Sequence, residues 1–236
     1  AGRAGIKAER IMNEPSAAAL ARAWTSIKDD EQRLVLVYDF GGGTFDATVL
    51  RAKGGSCAVL SSEGDDALGG MDIDAAMYKD VCSRFNEEFG IDPEADPYLS
   101  RLLVDLCEKA KIELSAREEA VVAVPFLRGA GGLVHPSVKF DRDRFERIAA
   151  PFIDRTLSLV ERVLRSAGTK AVDIGALVLS GGSSRIPLAR VRLGAALGRE
   201  ADPRINPEEI VALGAAVEAA RINLAYTRVI APISGR

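Results

Sequence analysis

The stretch Val37–Asp46, VYDFGGGTFD, decides the fold. Val37, Tyr38, Phe40 and Phe45 are β-formers, and between them lie three glycines flanked by Asp39 and Asp46. This is the pattern of two strands joined by a glycine turn. Gly41, Gly42 and Gly43 have no Cβ, so their backbone N–H groups can approach an anion closely. Two carboxylates beside a phosphate repel it unless a cation lies between them. A phosphate site here therefore implies Mg²⁺, held by Asp39 and Asp46 largely through water. Thr44 adds a hydroxyl for a phosphate oxygen or an attacking water. The same ten residues also describe a plain hairpin with surface aspartates, and alone they do not choose between the two.

The embedded Asp-Phe-Gly is, in a protein kinase, the site of a magnesium-binding aspartate. A kinase also needs an upstream His-Arg-Asp loop, a Gly-rich loop and a strand lysine. The single histidine, His135, comes after the triplet, and no Gly-Lys-Ser/Thr occurs to form a Walker A loop. The lone imidazole also argues against a zinc site or a serine–histidine triad. The net charge of −3 supplies no basic field for nucleic acid or an anionic membrane surface. No apolar run reaches membrane-spanning length, and no secretory leader is expected. Cys57, Cys82 and Cys107 are far apart, which predicts buried free thiols in a reducing, cytoplasmic compartment. The first residues, AGRAGIKAER, suggest an excerpt of a longer chain. At 236 residues, one domain with a sizeable insertion is expected.

Working outward, Asn13, Pro15 and SAAALARAW predict a helix over 14–24. Strands are expected over 33–39, 45–52 and 56–63, with SIKDDEQR as a polar loop before the first and Gly54-Gly55 between the last two. Helices follow over 73–89 and 98–114. EEAVVAVPFL and GLVHPSVKF read as two short strands around Gly129–Gly132. Asp141 caps a helix to Ala167, IGALVLSGG is a buried strand, and Pro187 opens a helix. Asn206-Pro207-Glu208-Glu209 reads as N-cap, N1, N2 and N3 of a last helix, IVALGAAVEAA, apolar nearly all round and so expected to be buried. The tail beyond Asn223 is weakly patterned.

Two further glycine loops stand at strand ends, GDDALGG (64–70) and SGGSSRIP (180–187). The second follows a buried strand and precedes a helix, a geometry that delivers amides and Arg185 to a ligand. Glu108, Lys111 and Ser115 share one helix face, a pattern that usually marks a solvated surface. Three glycine loops are more than turn-making needs.

RIMNEPSAAALA, YDFGGGTFD, GDDALGGMDID, CEKAKIELS, LSGGSSRIP and INPEEIVALGAAVEAA together resemble the heat-shock-70, DnaK-type chaperone family, in family order over residues 4–222. The resemblance implies an α/β actin/hexokinase/heat-shock-70-like ATPase fold, of which this chain covers mainly the second lobe. It implies a lead-in helix and hinge over 1–24, a core α/β subdomain over 25–70 and 141–222, an inserted α+β subdomain over 71–140, and a tail over 223–236. It implies ATP or ADP with Mg²⁺ as cofactors. Asp39 and Asp46 would lie near the metal and its water, Gly41, Gly42, Gly43 and Thr44 would cradle the β- and γ-phosphates, and Glu14 would stand near the metal hydration shell and the hinge. Gly69 and Gly70 would approach the nucleotide. Glu108, Lys111 and Ser115 would hold ribose and adenine. Gly181, Gly182, Ser183 and Arg185 would wrap the adenosine, with Arg185 stacked on the base, and Glu208 stands where the family usually has Asp. In the intact parent, hydrolysis would drive binding of unfolded clients with a J-domain co-chaperone and a nucleotide-exchange factor.

The departures are as informative. The family's Asp-Leu-Gly-Thr-Thr type loop and its catalytic lysine are not found in this sequence, so the chain alone is expected not to hydrolyse ATP at a useful rate. Met71 replaces a usual acid, and RINLAYTRVIAPISGR does not read like the family's interdomain linker. An actin-like cytoskeletal ATPase, a sugar or acetate kinase of the same fold and a pseudo-ATPase interaction module remain as alternatives.

Overall fold

A computed structural model describes residues 12–26, 32–53, 56–129, 132–202 and 205–227. The expected polar connection over 27–31, the Gly54-Gly55 turn and the tail beyond 227 lie outside these residues.

The chain opens with helix α1 (Glu14–Ser26), whose first turn is closed by Ala17 N–H donating to Asn13 O at 3.1 Å. Strands β1 (Arg33–Phe40), β2 (Phe45–Lys53) and β3 (Ser56–Asp65) follow. Helix α2 (Gly70–Phe89) begins three residues before the expected Ile73, because the Asp72 carboxylate accepts Gly69 N–H at 2.7 Å and draws the glycines into the helix start. Gly90, at φ +63°, closes it. Helix α3 (Pro97–Leu114) is capped by Asp96, which accepts from Tyr98 and Leu99.

The next segment corrects the sequence reading. Instead of two strands it forms four, β4 (Glu119–Ala123), β5 (Leu127–Gly129), β6 (Gly132–Val134) and β7 (Ser137–Asp141), in two separate two-stranded sheets. Pro125 and Pro136 lack the N–H needed to continue a ladder, so each run breaks there. At the break Phe126 takes φ +61°, and its N–H donates to Nδ1 of His135, which must therefore be the unprotonated nitrogen.

Helix α4 (Arg142–Ser166) is capped by Asp141 and runs through Pro151. Strand β8 (Ile174–Ser180) and helices α5 (Pro187–Leu197) and α6 (Ile210–Thr227) complete the described chain.

The main sheet has order β3-β2-β1-β8, with β1 antiparallel to β2 and parallel to β8. Period-two alternation gives it two buried faces. Leu36, Tyr38, Phe40, Phe45 and Ala47 point into a core that continues through α4 and α5 and outward through α2, α3, β4 and β7. Tyr38, Phe40 and Phe45 pack edge-to-face at 4.8–6.2 Å between centroids. Thr156 Oγ1 donates to Ile153 O, so the Tyr38 hydroxyl, 2.7 Å away, is the donor to Thr156. Val35, Val37, Leu50, Ala52 and Val178 face the other way, onto Ala18, Ala19 and Ala21 of α1. Alanines let α1 lie close to the sheet, and α6 packs on its outer side.

Helix α6 corrects a second expectation. It is not buried all round: Leu213 is 51% exposed, and Ala212, Ala215 and Ala216 are exposed. Its uniform apolarity hides a single contact side, marked by the buried Gly214. Its start also differs. Asn206 Oδ1 accepts from Glu208 N–H and from Arg185, and Pro207 O accepts Gly181 N–H, so 207–209 form a turn and the helix begins at Ile210. The cysteines are all free, but only Cys107 is buried; Cys57 and Cys82 are half-buried.

A Cβ on Gly214 would lie 2.9 Å from Ala17 Cα and closer still to the Ala17 carbonyl. Gly214→Ala is therefore expected to cost about 1–3 kcal/mol in urea unfolding. Gly194→Ala, in α5 with its nearest atom at 3.5 Å, is expected to be neutral or stabilising by up to about 1 kcal/mol. Equal effects at the two sites would refute the tight α1–α6 contact.

Candidate functional site

The C-terminal ends of β1, β8 and β3 lie at one edge of the sheet, because β3 runs antiparallel to β2 and β2 antiparallel to β1. This brings the three glycine loops together. The Phe40↔Phe45 pair closes a four-residue turn, held by Gly41 N–H donating to Thr44 O at 3.0 Å. Among the described residues, the amides of Gly42 and Gly43 donate no backbone hydrogen bond. The start of α2 docks onto this turn, with Gly70 N–H donating to Gly41 O at 3.0 Å and Met71 N–H to Gly42 O at 2.7 Å. From the other side, Ser183 Oγ donates to Gly41 O at 2.8 Å. Gly181 sits at φ +79°, where a Cβ would lie 2.8 Å from Gly41 N, and a Cβ on Gly69 would lie 2.5 Å from the backbone of Gly42 and Gly43. Around Gly42 itself there is open space, with nothing within 4 Å of a Cβ position.

Two depressions flank the turn. On the α1 side, Asp39 and Asp46 face each other across the β1–β2 register, and with Glu14, Thr48 and Ser62 they line a hollow of ≈ 450 Å³. Burial raises the Asp39 carboxyl above the ordinary aspartate range; a hydrogen bond from Ser180 opposes this, and the charges of Glu14 and Asp46 add to it. Asp46 is also raised, by burial and then by the charges of Asp66 and Glu14. Asp66 had given no signal in the sequence, since it lies between Asp65 and Ala67 in an ordinary-looking acidic loop. Among the described residues, no group of three His, Cys, Asp or Glu side chains is placed to hold a metal ion directly.

On the other side lies a cleft of ≈ 540 Å³. Glu108 and Lys111 of α3, with Ser115 at its end, form one wall, Gly182, Ser183, Arg185 and Glu208 the other, and Gly42 stands at the glycine-turn end. Arg185 Nε pairs with Glu208 at 3.1 Å, and its terminal nitrogen donates to Asn206 Oδ1 at 2.5 Å. Lys111 lines the cleft, yet its ammonium is committed: it donates to Asp74 Oδ2 at 2.7 Å and to Gly70 O at 3.0 Å. Ser115 Oγ donates to Lys111 O. Ile112, 62% exposed, and Arg190 line the same cleft. Ile112 could have been found as an apolar residue one step off the buried stripe of α3. A separate depression of ≈ 380 Å³ lies between α1 and α6, away from the glycine loops, and no basic side chain lines it.

A backbone cradle at a strand end, a carboxylate-lined hollow and a cleft of mixed polar and apolar lining on a common edge make a constellation suited to an anionic, elongated ligand. A family model for Hsp70 protein matches residues 1–226. The chain belongs to the Hsp70 family. Its fold is thus that of the actin/hexokinase-like ATPases, seen here as mixed α/β structure around a four-stranded mixed sheet. It carries an Hsp70-type nucleotide-binding chaperone domain. Hsp70 proteins bind ATP, typically with Mg²⁺, and engage clients and co-chaperones. No described helix is long and apolar enough to cross a membrane.

The raised carboxyls carry a pH consequence. A group whose native pKa lies above its unfolded value holds more protons when folded, so stability falls as pH rises from the ordinary aspartate range through the raised one. Without nucleotide or metal, Asp39→Asn should therefore raise the melting temperature at neutral pH and leave it unchanged at pH values below the ordinary aspartate range. Melting curves across that window check this, and an Asn variant that is less stable at neutrality would contradict it.

Proposed function

We propose that the chain forms the second lobe of an Hsp70-type ATPase and that the two depressions with the glycine turn between them are its half of a MgATP site. One observation carries the reading: the cleft gathers Glu108, Lys111 and Ser115 opposite Gly182, Ser183, Arg185 and Glu208 and opens onto Gly42, where no side chain fills the space. The donor set fits the ligand. Backbone amides of Gly42 and Gly43, with the Thr44 hydroxyl, suit phosphate oxygens. Asp39 and Asp46, with Glu14 beyond, suit a hydrated Mg²⁺, since the carboxylates act through water. The Arg185 guanidinium, exposed at the cleft, suits stacking on adenine. Bound Mg²⁺ would supply charge neutralisation between phosphates and carboxylates.

In this reading residues 1–24 lead in from the hinge, 25–70 and 141–222 make the core subdomain, and 71–140 the inserted one. Asp39, Asp46 and Glu14 would hold the hydrated Mg²⁺ and, with Thr44, orient the attacking water, and charge on the phosphate would need donors from both lobes. In the parent, located in the cytoplasm, hydrolysis drives binding and folding of client proteins, regulated by a J-domain co-chaperone and an exchange factor.

Calorimetric titration with Mg-ADP tests the nucleotide assignment. Wild type should bind, and Arg185→Ala should weaken binding about tenfold, the scale of one desolvated cation–π contact. A folded, monodisperse wild-type chain that takes up no Mg-ADP, or an Arg185→Ala variant that binds as well as wild type, counts against it.

A further inference from the structure

Asp74 lies in the first turns of α2, where the sequence offers only another acid in GGMDID. The structure buries it to 5% exposure beside Lys111, itself 8% exposed. Asp74 Oδ2 accepts from the ammonium at 2.7 Å, while Oδ1 is buried with no hydrogen-bond partner. A carboxylate with one orphaned oxygen is costly to keep in a core. It persists here beside a lysine whose other bond, to Gly70 O, falls on the residue that docks onto the phosphate turn. Gly70 is hemmed in: a Cβ there would lie 2.8 Å from the Lys111 ammonium and nearer still to Ser183 Oγ.

We propose that Asp74 is a positioning residue of the nucleotide site, acting through Lys111. Its carboxylate fixes the ammonium, the ammonium fixes the Gly70 carbonyl, and Gly70 and Met71 in turn hold Gly41 and Gly42. Asp74 thereby ties the nucleoside wall on α3 to the phosphate turn. The consequence for ligand binding rests on the nucleotide reading above; the consequence for the turn does not.

Two measurements on Asp74→Asn, Lys111→Met and the double variant test this. The first is amide hydrogen exchange of the ligand-free chain over peptides spanning 68–73. Protection of the Gly70 and Met71 amides should fall about tenfold or more, the scale of one lost charge-assisted hydrogen bond, while β8 peptides keep theirs. The second is Mg-ADP affinity, expected to fall about tenfold. Removing both charges of a buried pair restores stability far better than removing one. The double variant should therefore regain the wild-type melting temperature yet keep the loosened 68–73 amides and the weakened affinity. A double variant that regains protection and affinity together with stability would show a merely structural pair and overturn the proposal. So would single variants with unchanged protection at 68–73. Failure of wild type to bind Mg-ADP would count against the nucleotide reading alone, because the exchange measurement stands without ligand.

Discussion

Three backbone segments meet at one sheet edge with no room for side chains between them. Gly181 abuts Phe40 and Gly41, Gly69 abuts Gly42 and Gly43, and Gly70 abuts Lys111 and Ser183. The approaches of Gly181 and Gly69 to backbone exclude a Cβ, at Gly70 the close neighbours are side-chain ends, and Gly181 also needs a positive φ. This crowding keeps the glycine turn from being a free hairpin. Its carbonyls at Gly41 and Gly42 are occupied by the start of α2 and by Ser183, while the amides of Gly42 and Gly43 donate no backbone hydrogen bond and the space beside Gly42 is open. A loop that has spent its acceptors on the protein and kept its donors is prepared for an anion before any anion arrives.

The strand register decides where charge goes. Tyr38, Phe40 and Phe45 fill one core, and the alternate residues Asp39 and Asp46 point to the α1 side as a directly opposed pair. A slip of one residue in β1–β2 pairing would bring an aspartate among the aromatics and turn a ring toward α1. The aromatic cluster and the Tyr38–Thr156 hydrogen bond therefore fix the position of the carboxylates, although they touch no ligand. Burial is the main reason that both carboxyls are raised, and the charges of Glu14 and Asp46 at Asp39, and of Asp66 and Glu14 at Asp46, add to it.

Much of this was legible in the sequence because it rests on local rules. VYDFGGGTFD gave its own strands and turn, and Asp96 and Asp141 cap the helices they precede, as short polar residues before apolar periodicity should. What was not legible depends on partners far along the chain. Asp74 looks like any helix-surface acid until α3 brings Lys111 beside it, 37 residues on. Asn206 reads as an ideal N-cap, yet Arg185 and the turn at Glu208 claim its oxygen. The uniform apolarity of α6 suggested burial on all sides, whereas its one obligatory contact is Gly214 against Ala17. The breaks at Pro125 and Pro136 were readable from proline chemistry alone, and the β-rich residues around them masked the signal.

The two walls of the cleft differ in kind, and this bears on what a ligand can change. On the α3 wall the cation is buried and already bonded to Asp74 and Gly70, so moving it means breaking a desolvated pair. On the opposite wall Arg185 is held by Glu208 and Asn206 near the surface, where exposed ion pairs contribute little and rearrange easily. In the proposed reading a nucleotide entering the cleft would meet one rigid wall and one adaptable wall. Asn206 and Glu208 belong to the turn that leads into α6, and α6 packs on α1, whose first residue, Glu14, borders the carboxylate hollow. In the proposed reading, repositioning Arg185 on a base would act on the Asn206–Glu208 turn and through α6 and α1 reach the carboxylate hollow, while the α3 wall stays in place as the reference.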